Sequence, residues 1–180
     1  MGSGWVCLEG YRRSPIIDLT FGAFKMNSLP LYLKKNSFYT VYGGPYRSRP
    51  KEGYFGVKMA AEINAPCEVS VPTQDFQVPD VGDTARGLVK VVHAVLLGKK
   101  VYVGCMGGIG RTGLMLSLLA KAFGVEDPVV YVRKHYYSHA VETKEQRQFI
   151  ADFAIPLSVR WAIWWARLLT FDGKGNMTRD

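Results

Sequence analysis

Cysteine is scarce in this chain. Cys7, Cys67 and Cys105 are the three present in 180 residues, too few and of the wrong parity for the disulfide framework of a small secreted domain. Free thiols in a reducing compartment, hence a cytoplasmic location, are the expectation. Long apolar runs are also missing: no stretch reaches the roughly 20 residues that span a bilayer, and the first residues lack the basic-then-apolar layout of a signal peptide. "MGSGWV" has Gly2 but Val6 where a myristoylation signal wants Ser or Thr, so lipidation is not expected. Acidic residues are in the minority, with 15 Asp and Glu against 23 Lys and Arg, giving a net charge of +8 and a pI near 9.4. The surface should therefore attract anions such as phosphate esters, acidic peptides or nucleic acid. No internal repeat or low-complexity tract divides the sequence. At 48% hydrophobic, its length suits one compact domain, 1–180, better than two.

Residues 1–55 are rich in Gly, Pro, Ser and Tyr with weak periodicity, which reads as short strands and turns. "CEVSVPTQDFQVPD" starts as a strand that Pro72 should break, leaving a loop through Pro79 and Asp80. "GDTARGLVKVVHAVLLGKK" predicts a helix of about 14 residues, capped by Asp83 or Thr84. Its apolar face is Leu88, Val91, Val92, Val95 and Leu96, and Gly98 marks the exit. "KKVYVGC" reads as a buried strand and "RTGLMLSLLAKAFG" as an apolar helix ending at Gly124. Asp127-Pro128 opens a further helix, and Thr143-x-x-Gln146 has capping-box spacing at the start of another. Beyond Pro156, Leu157, Trp161, Trp164 and Leu168 recur at helical spacing in a Trp-rich segment (157–180 with its polar tail), expected to pack on the core, with a membrane or partner surface as the alternative. One to three strands followed by helices around a parallel strand predict an α/β layered fold.

Chemistry concentrates in "YVGCMGGIGRTG", Tyr102 to Gly113. A turn between a strand and a helix N-terminus aims several backbone N–H groups at one point, and the helix dipole adds about half a positive charge there. Gly107, Gly108 and Gly110 permit the close curl such an anion cradle needs, with Met106 and Ile109 completing the loop. Cys105 at its base is placed to be a thiolate nucleophile, since helix termini and nearby cations favour the ionised sulfur. Arg111 offers a planar two-pronged donor to phosphate oxygens. Thr112 is expected to hydrogen-bond the sulfur and assist its departure.

Cys105-x5-Arg111-Thr112-Gly113 resembles the phosphate-binding signature of the cysteine-dependent protein tyrosine phosphatase superfamily. The paired glycines of "CMGGIGRTG" are similar to the small dual-specificity-like branch that includes cyclin-dependent kinase inhibitor 3. Low-molecular-weight phosphatases carry the signature near the N-terminus, whereas about a hundred residues precede it here. The resemblance implies a central mixed, largely parallel sheet flanked by helices, and hydrolysis of phosphate monoesters through a phosphocysteine without metal or organic cofactor. It also implies a general acid Asp on an upstream loop. Asp75, 30 residues before Cys105 in "VPTQDFQVP", fits better than Asp80 at 25 residues. Gln146 is implied as the residue that positions the hydrolytic water. Where the family usually has His before the cysteine, this chain has Gly104.

Simpler readings stand beside these. Cys105 can be a core cysteine, Asp75 a turn cap and Gln146 one half of its capping box. Arg133 is either solvated or a support of the phosphate loop, and Cys67 a half-buried strand residue or a redox partner of Cys105. His135 and His139, four apart, have no third ligand at a zinc-like spacing. Arg47, Arg49 and Lys51 form a solvated loop or a basic rim. The resemblance implies phosphorylated protein or peptide substrates over inositol phosphate, phospholipid or an RNA 5′ end, since lipid-directed relatives tend to carry lysines in the loop where "MGGIG" is neutral, and a catalytically silent phosphate-binding module is a third reading.

Overall fold

The computed structural model describes residues 26–35 and 37–170. The readings made on Cys7, on the N-terminal residues and on the polar tail lie outside them. Five strands form one mixed sheet in the order β1-β2-β5-β3-β4. They are β1 (Asn27–Lys34), β2 (Ser37–Pro45), β3 (Tyr54–Ala60), β4 (Val69–Thr73) and β5 (Lys100–Cys105). The first two pair antiparallel; β5 runs parallel to β2 and β3, and β3 parallel to β4. Four strands therefore precede the first long helix, more than the one to three expected: Leu29, Leu31 and Leu33 alternate inward along β1, inside a segment whose Gly, Pro and Ser content reads as turns. Pro72 does not break β4. It stands, exposed, inside the strand, where the sheet edge tolerates a residue without an N–H.

Among the described residues five α-helices flank the sheet: α1 (Val81–Leu96), α2 (Gly110–Ala122), α3 (Pro128–His135), α4 (Lys144–Asp152) and α5 (Leu157–Leu169). The cap of α1 is Asp80, not Asp83 or Thr84. Its Oδ1 accepts the Asp83 N–H at 2.8 Å, so the helix gains one turn. The exit at Gly98 (φ +72) is a Schellman closure, with Gly98 N–H on Val95 O and Lys99 N–H on Ala94 O. Asp127 caps α3, with Pro128 in its first turn, and the Thr143–Gln146 capping box is fully formed. Helix α2 is buried on nearly every side, and Leu114, Met115, Leu116, Leu118 and Leu119 join β5 in one core with α1 and β3.

Helix α5 departs from expectation. Val159 and Ile163 enter the core, whereas Leu157, Trp161, Trp164, Trp165 and Leu168 form a second apolar stripe that is exposed. The residues singled out by helical spacing lie on the outer face; the periodicity was real and its inward side was the narrower one.

Candidate active site

The carboxyl ends of β2, β3, β4 and β5 share one edge of the sheet, the place where open α/β sheets build their sites. Cys105 closes β5 and is 3% exposed. The next four residues curl before α2 begins at Gly110, and the Gly108 N–H donates to Cys105 Sγ at 3.2 Å. Gly108 has φ +74, and a Cβ there would overlap the backbone of Gly44, so this position excludes every side chain. At Gly110 a Cβ would meet the Glu142 carboxylate, the end of a flexible side chain that can give way. Gly113 lies against Ala140 and the Val141 N–H, where a Cβ would stand 2.8 to 2.9 Å away. Of the other loop residues, Met106 and Gly107 are exposed and Ile109 is half-buried.

Arg111 is 3% exposed. Its Nη1 donates to Glu62 Oε2 at 2.8 Å and Thr73 O at 2.9 Å; Nη2 donates to Glu62 Oε1 at 2.8 Å and pairs with Asp75 Oδ1 at 3.0 Å. The ends of two strands, β3 and β4, thus converge on one guanidinium. Burial alone would lower its pKa, but the Glu62 hydrogen bonds and the nearby Cys105 and Asp75 raise it instead. Reciprocally, Arg111 holds the Glu62 carboxyl below its ordinary range. Asp75 sits in a turn closed by Gln77 N–H on Gln74 O, with Phe76 at φ +58, an unfavourable backbone for an aromatic residue. The rival Asp80 is engaged as the cap of α1.

Gln146 is fully buried. Its Oε1 accepts from Glu142 N–H at 2.9 Å and its Nε2 donates to Gln77 O at 3.3 Å, tying α4 to the turn that carries Asp75. The expected bond from Thr112 to the sulfur does not form: its Oγ1 is buried without a partner. Arg133 supports neither loop nor solvent; it donates to Ala140 O and Val141 O, each at 2.9 Å, and so holds Val141 at φ +61. Arg49 is not part of a free basic rim, being paired with Glu68 at 2.9 Å, while Arg47 and Lys51 are exposed. His135 and His139 lie against the rings of Tyr131 and Tyr137. Cys67 is a half-buried free thiol.

Three residues at the site went unread in the sequence: Glu62, Tyr136 and Glu142. For Glu62 a signal existed, an acid two residues past the end of a buried strand. Tyr136 and Glu142 reach the loop only through the fold, so no local pattern marks them.

A buried cysteine at a strand end, a glycine loop donating to its sulfur and a charged arginine one helical turn on define a phosphatase domain of the cysteine-dependent, dual-specificity-like class. The chain belongs to the family described as PTP-SAK, Swiss Army Knife protein, DSP-PTPase phosphatase domain, whose model matches residues 51–155. Two uncharacterized proteins of Methanocaldococcus jannaschii are 41% and 39% identical over 83 residues, each match covering 46% of this chain. The chain spans about half the length of these curated relatives, 56% and 52% respectively. Kinase associated phosphatase, solved with its catalytic-site cysteine replaced by serine, shares the fold at TM-score 0.55 and 14% identity, over 71% of this chain and 92% of that one. Tk-PTP in its active form gives 0.50 and 20%, over 69% and 95%. Among the described residues no helix is long and apolar enough to cross a membrane.

Proposed function

We propose that this domain hydrolyses phosphate monoesters through a phosphocysteine at Cys105, acting on phosphotyrosine or phosphoserine and phosphothreonine in proteins. The observation that carries the reading is the convergence on Arg111. One buried guanidinium is oriented by Glu62 and Thr73 O, touches Asp75, and feels the charge of a sulfur that already accepts a loop N–H. Nη1 and Nη2 are occupied by protein acceptors, while Nε–H has no partner among the described residues. A phosphate dianion takes the Nε–H edge and displaces Asp75 from Nη2, which supplies the two-pronged contact that positions phosphorus over sulfur.

The ionised sulfur then attacks phosphorus, the loop N–H groups and Arg111 stabilise the equatorial oxygens, and the released Asp75, in its protonated form, gives its proton to the leaving oxygen. Water completes the cycle by attacking the phosphocysteine and returning the thiol. Gln146, tethered to the Asp75 turn, is the proposed guide for that water. Thr112 keeps a supporting place in the set, now through burial in the first turn of α2. The residues from Met106 to Gly110 form the substrate loop. The free thiols Cys67 and Cys105 favour a reducing, cytoplasmic setting.

The test is turnover of an aryl phosphate beside a panel of phosphopeptides, inositol phosphates and 5′-triphosphorylated RNA. Activity on aryl phosphate and phosphopeptides, lost in Cys105→Ser with vanadate binding retained, is expected. Full activity in Cys105→Ser defeats the mechanism, and preference for inositol phosphate or RNA moves the substrate class.

A further inference from the structure

The glycine before Cys105 has a physical cause with a consequence for the loop. A Cβ at Gly104 would lie 2.8 Å from Gly44 O and Tyr46 Cα and 2.9 Å from Tyr46 N. Backbone at the carboxyl end of β2, on one side of β5, forbids any side chain there, so nothing at position 104 can order the anion loop.

We propose that Tyr136 does this instead: it is a positioning residue whose hydroxyl anchors the Gly108–Ile109 peptide, keeping the loop N–H groups turned toward the bound oxyanion. The inference rests on the phosphatase reading and adds to it the device that holds the cradle open. Tyr136 follows α3 as its C-terminal cap residue and is 7% exposed. Its Oη donates to Gly108 O at 2.6 Å. Its ring lies where a Cβ on Gly43 would come within 2.8 to 2.9 Å, so the glycine in β2 makes the room that the ring uses.

Gly108 is therefore gripped from two directions, its N–H on Cys105 Sγ and its carbonyl on Tyr136. No peptide among the described residues is cis. In a trans peptide the N–H points opposite the C=O, so fixing the Gly108 carbonyl on Tyr136 turns the Ile109 N–H away from Tyr136, which by this proposal is the side of the anion. The left-handed backbone of Gly108 makes this orientation accessible, and the hydroxyl keeps it from relaxing. Burial, with smaller contributions from Tyr102, Cys105 and Tyr137, pushes the Tyr136 phenol far above its ordinary range. It stays protonated, and a donor, at every working pH. Arg111, the cation facing the same sulfur from α2, makes no bond to the Gly108 carbonyl: its Nη groups go to Glu62, Thr73 and Asp75 and its Nε–H is left for the anion.

The experiment compares the full chain with Tyr136→Phe, which keeps the ring, and Tyr136→Leu, which removes it. Steady-state turnover of an aryl phosphate, calorimetric binding of vanadate and of inorganic phosphate, hydrogen exchange of the peptide covering 106–110 and thermal melting are measured on each. Tyr136→Phe is expected to melt within about 2 °C of wild type yet lose about tenfold in kcat and in vanadate affinity, the scale of one hydrogen bond realised mainly in the transition state. Phosphate affinity and KM change less, and exchange speeds up in 106–110 alone. Wild-type kcat and vanadate affinity in Tyr136→Phe, with losses only in Tyr136→Leu, overturns the proposal by assigning the residue to packing. Vanadate binding needs no turnover. A wild type that hydrolyses no phosphate monoester thus defeats the phosphatase reading, while the vanadate comparison still decides the role of Tyr136.

Discussion

Arg111 is the residue on which most of the chemistry turns, and its partner Glu62 carries a prediction of its own. The pairing lowers the folded-state pKa of Glu62 from its ordinary value of 4.5. A carboxyl depressed on folding contributes stability above its unfolded pKa and loses it as pH falls through the folded value. Glu62→Gln should therefore flatten the acid limb of the stability profile below about pH 4.5, read by urea melts across pH. Unchanged pH dependence would show that the pair contributes nothing to folding. The carboxylate is 40% exposed, so solvent screening keeps the effect small in size. At the same scale, Gly108→Ala must bring a Cβ into the Gly44 backbone at φ +74. Loss of vanadate binding together with a lowered melting temperature is expected, because the clash falls on the β2 backbone as well as on the loop.

Elements decide where those residues stand. Parallel strands β3 and β4, both on one side of β5, bring Glu62, Asp75 and Cys105 to one edge although they lie far apart in sequence. Helix ends set the rest: Asp80 starts α1, Gly98 ends it, and the Thr143 box starts α4 beside the Asp75 turn. Gly98→Ala should cost about 1 kcal/mol, because φ is +72 while nothing within 4 Å obstructs a Cβ; chemical denaturation reads it. Thr143→Ala removes the Gln146 N–H acceptor at 3.1 Å, which costs about 1 kcal/mol. It should also slow turnover by loosening the Gln146 tether to Gln77. An effect on stability without one on rate would detach Gln146 from the reaction.

Across the whole molecule, the parts legible in sequence were those with local signatures. The strand, glycine turn and helix around Cys105, the caps at Asp127 and Thr143, and the apolar face of α1 all follow from spacing alone. Pairings across the chain were not legible: Glu62 with Arg111 spans 49 residues and Tyr136 with Gly108 spans 28, and neither leaves a pattern. The second stripe of α5 misled for the same reason, since helical spacing reports an apolar face without reporting what lies against it. The basic excess belongs to this scale. A net charge of +8 should steer phosphate dianions, so kcat/KM for an aryl phosphate should fall as ionic strength rises from about 0.01 to 0.15 M. Indifference to salt would place that charge away from the approach to the site.

The account stands or falls on the covalent step at Cys105. Rapid acid quench during turnover of an aryl phosphate, followed by peptide mass spectrometry, measures it directly. The account predicts one phosphoryl group on the peptide containing Cys105, none in Cys105→Ser, and slower formation in Asp75→Ala. Turnover with no phosphoryl group ever found on Cys105, or found on another residue, contradicts it.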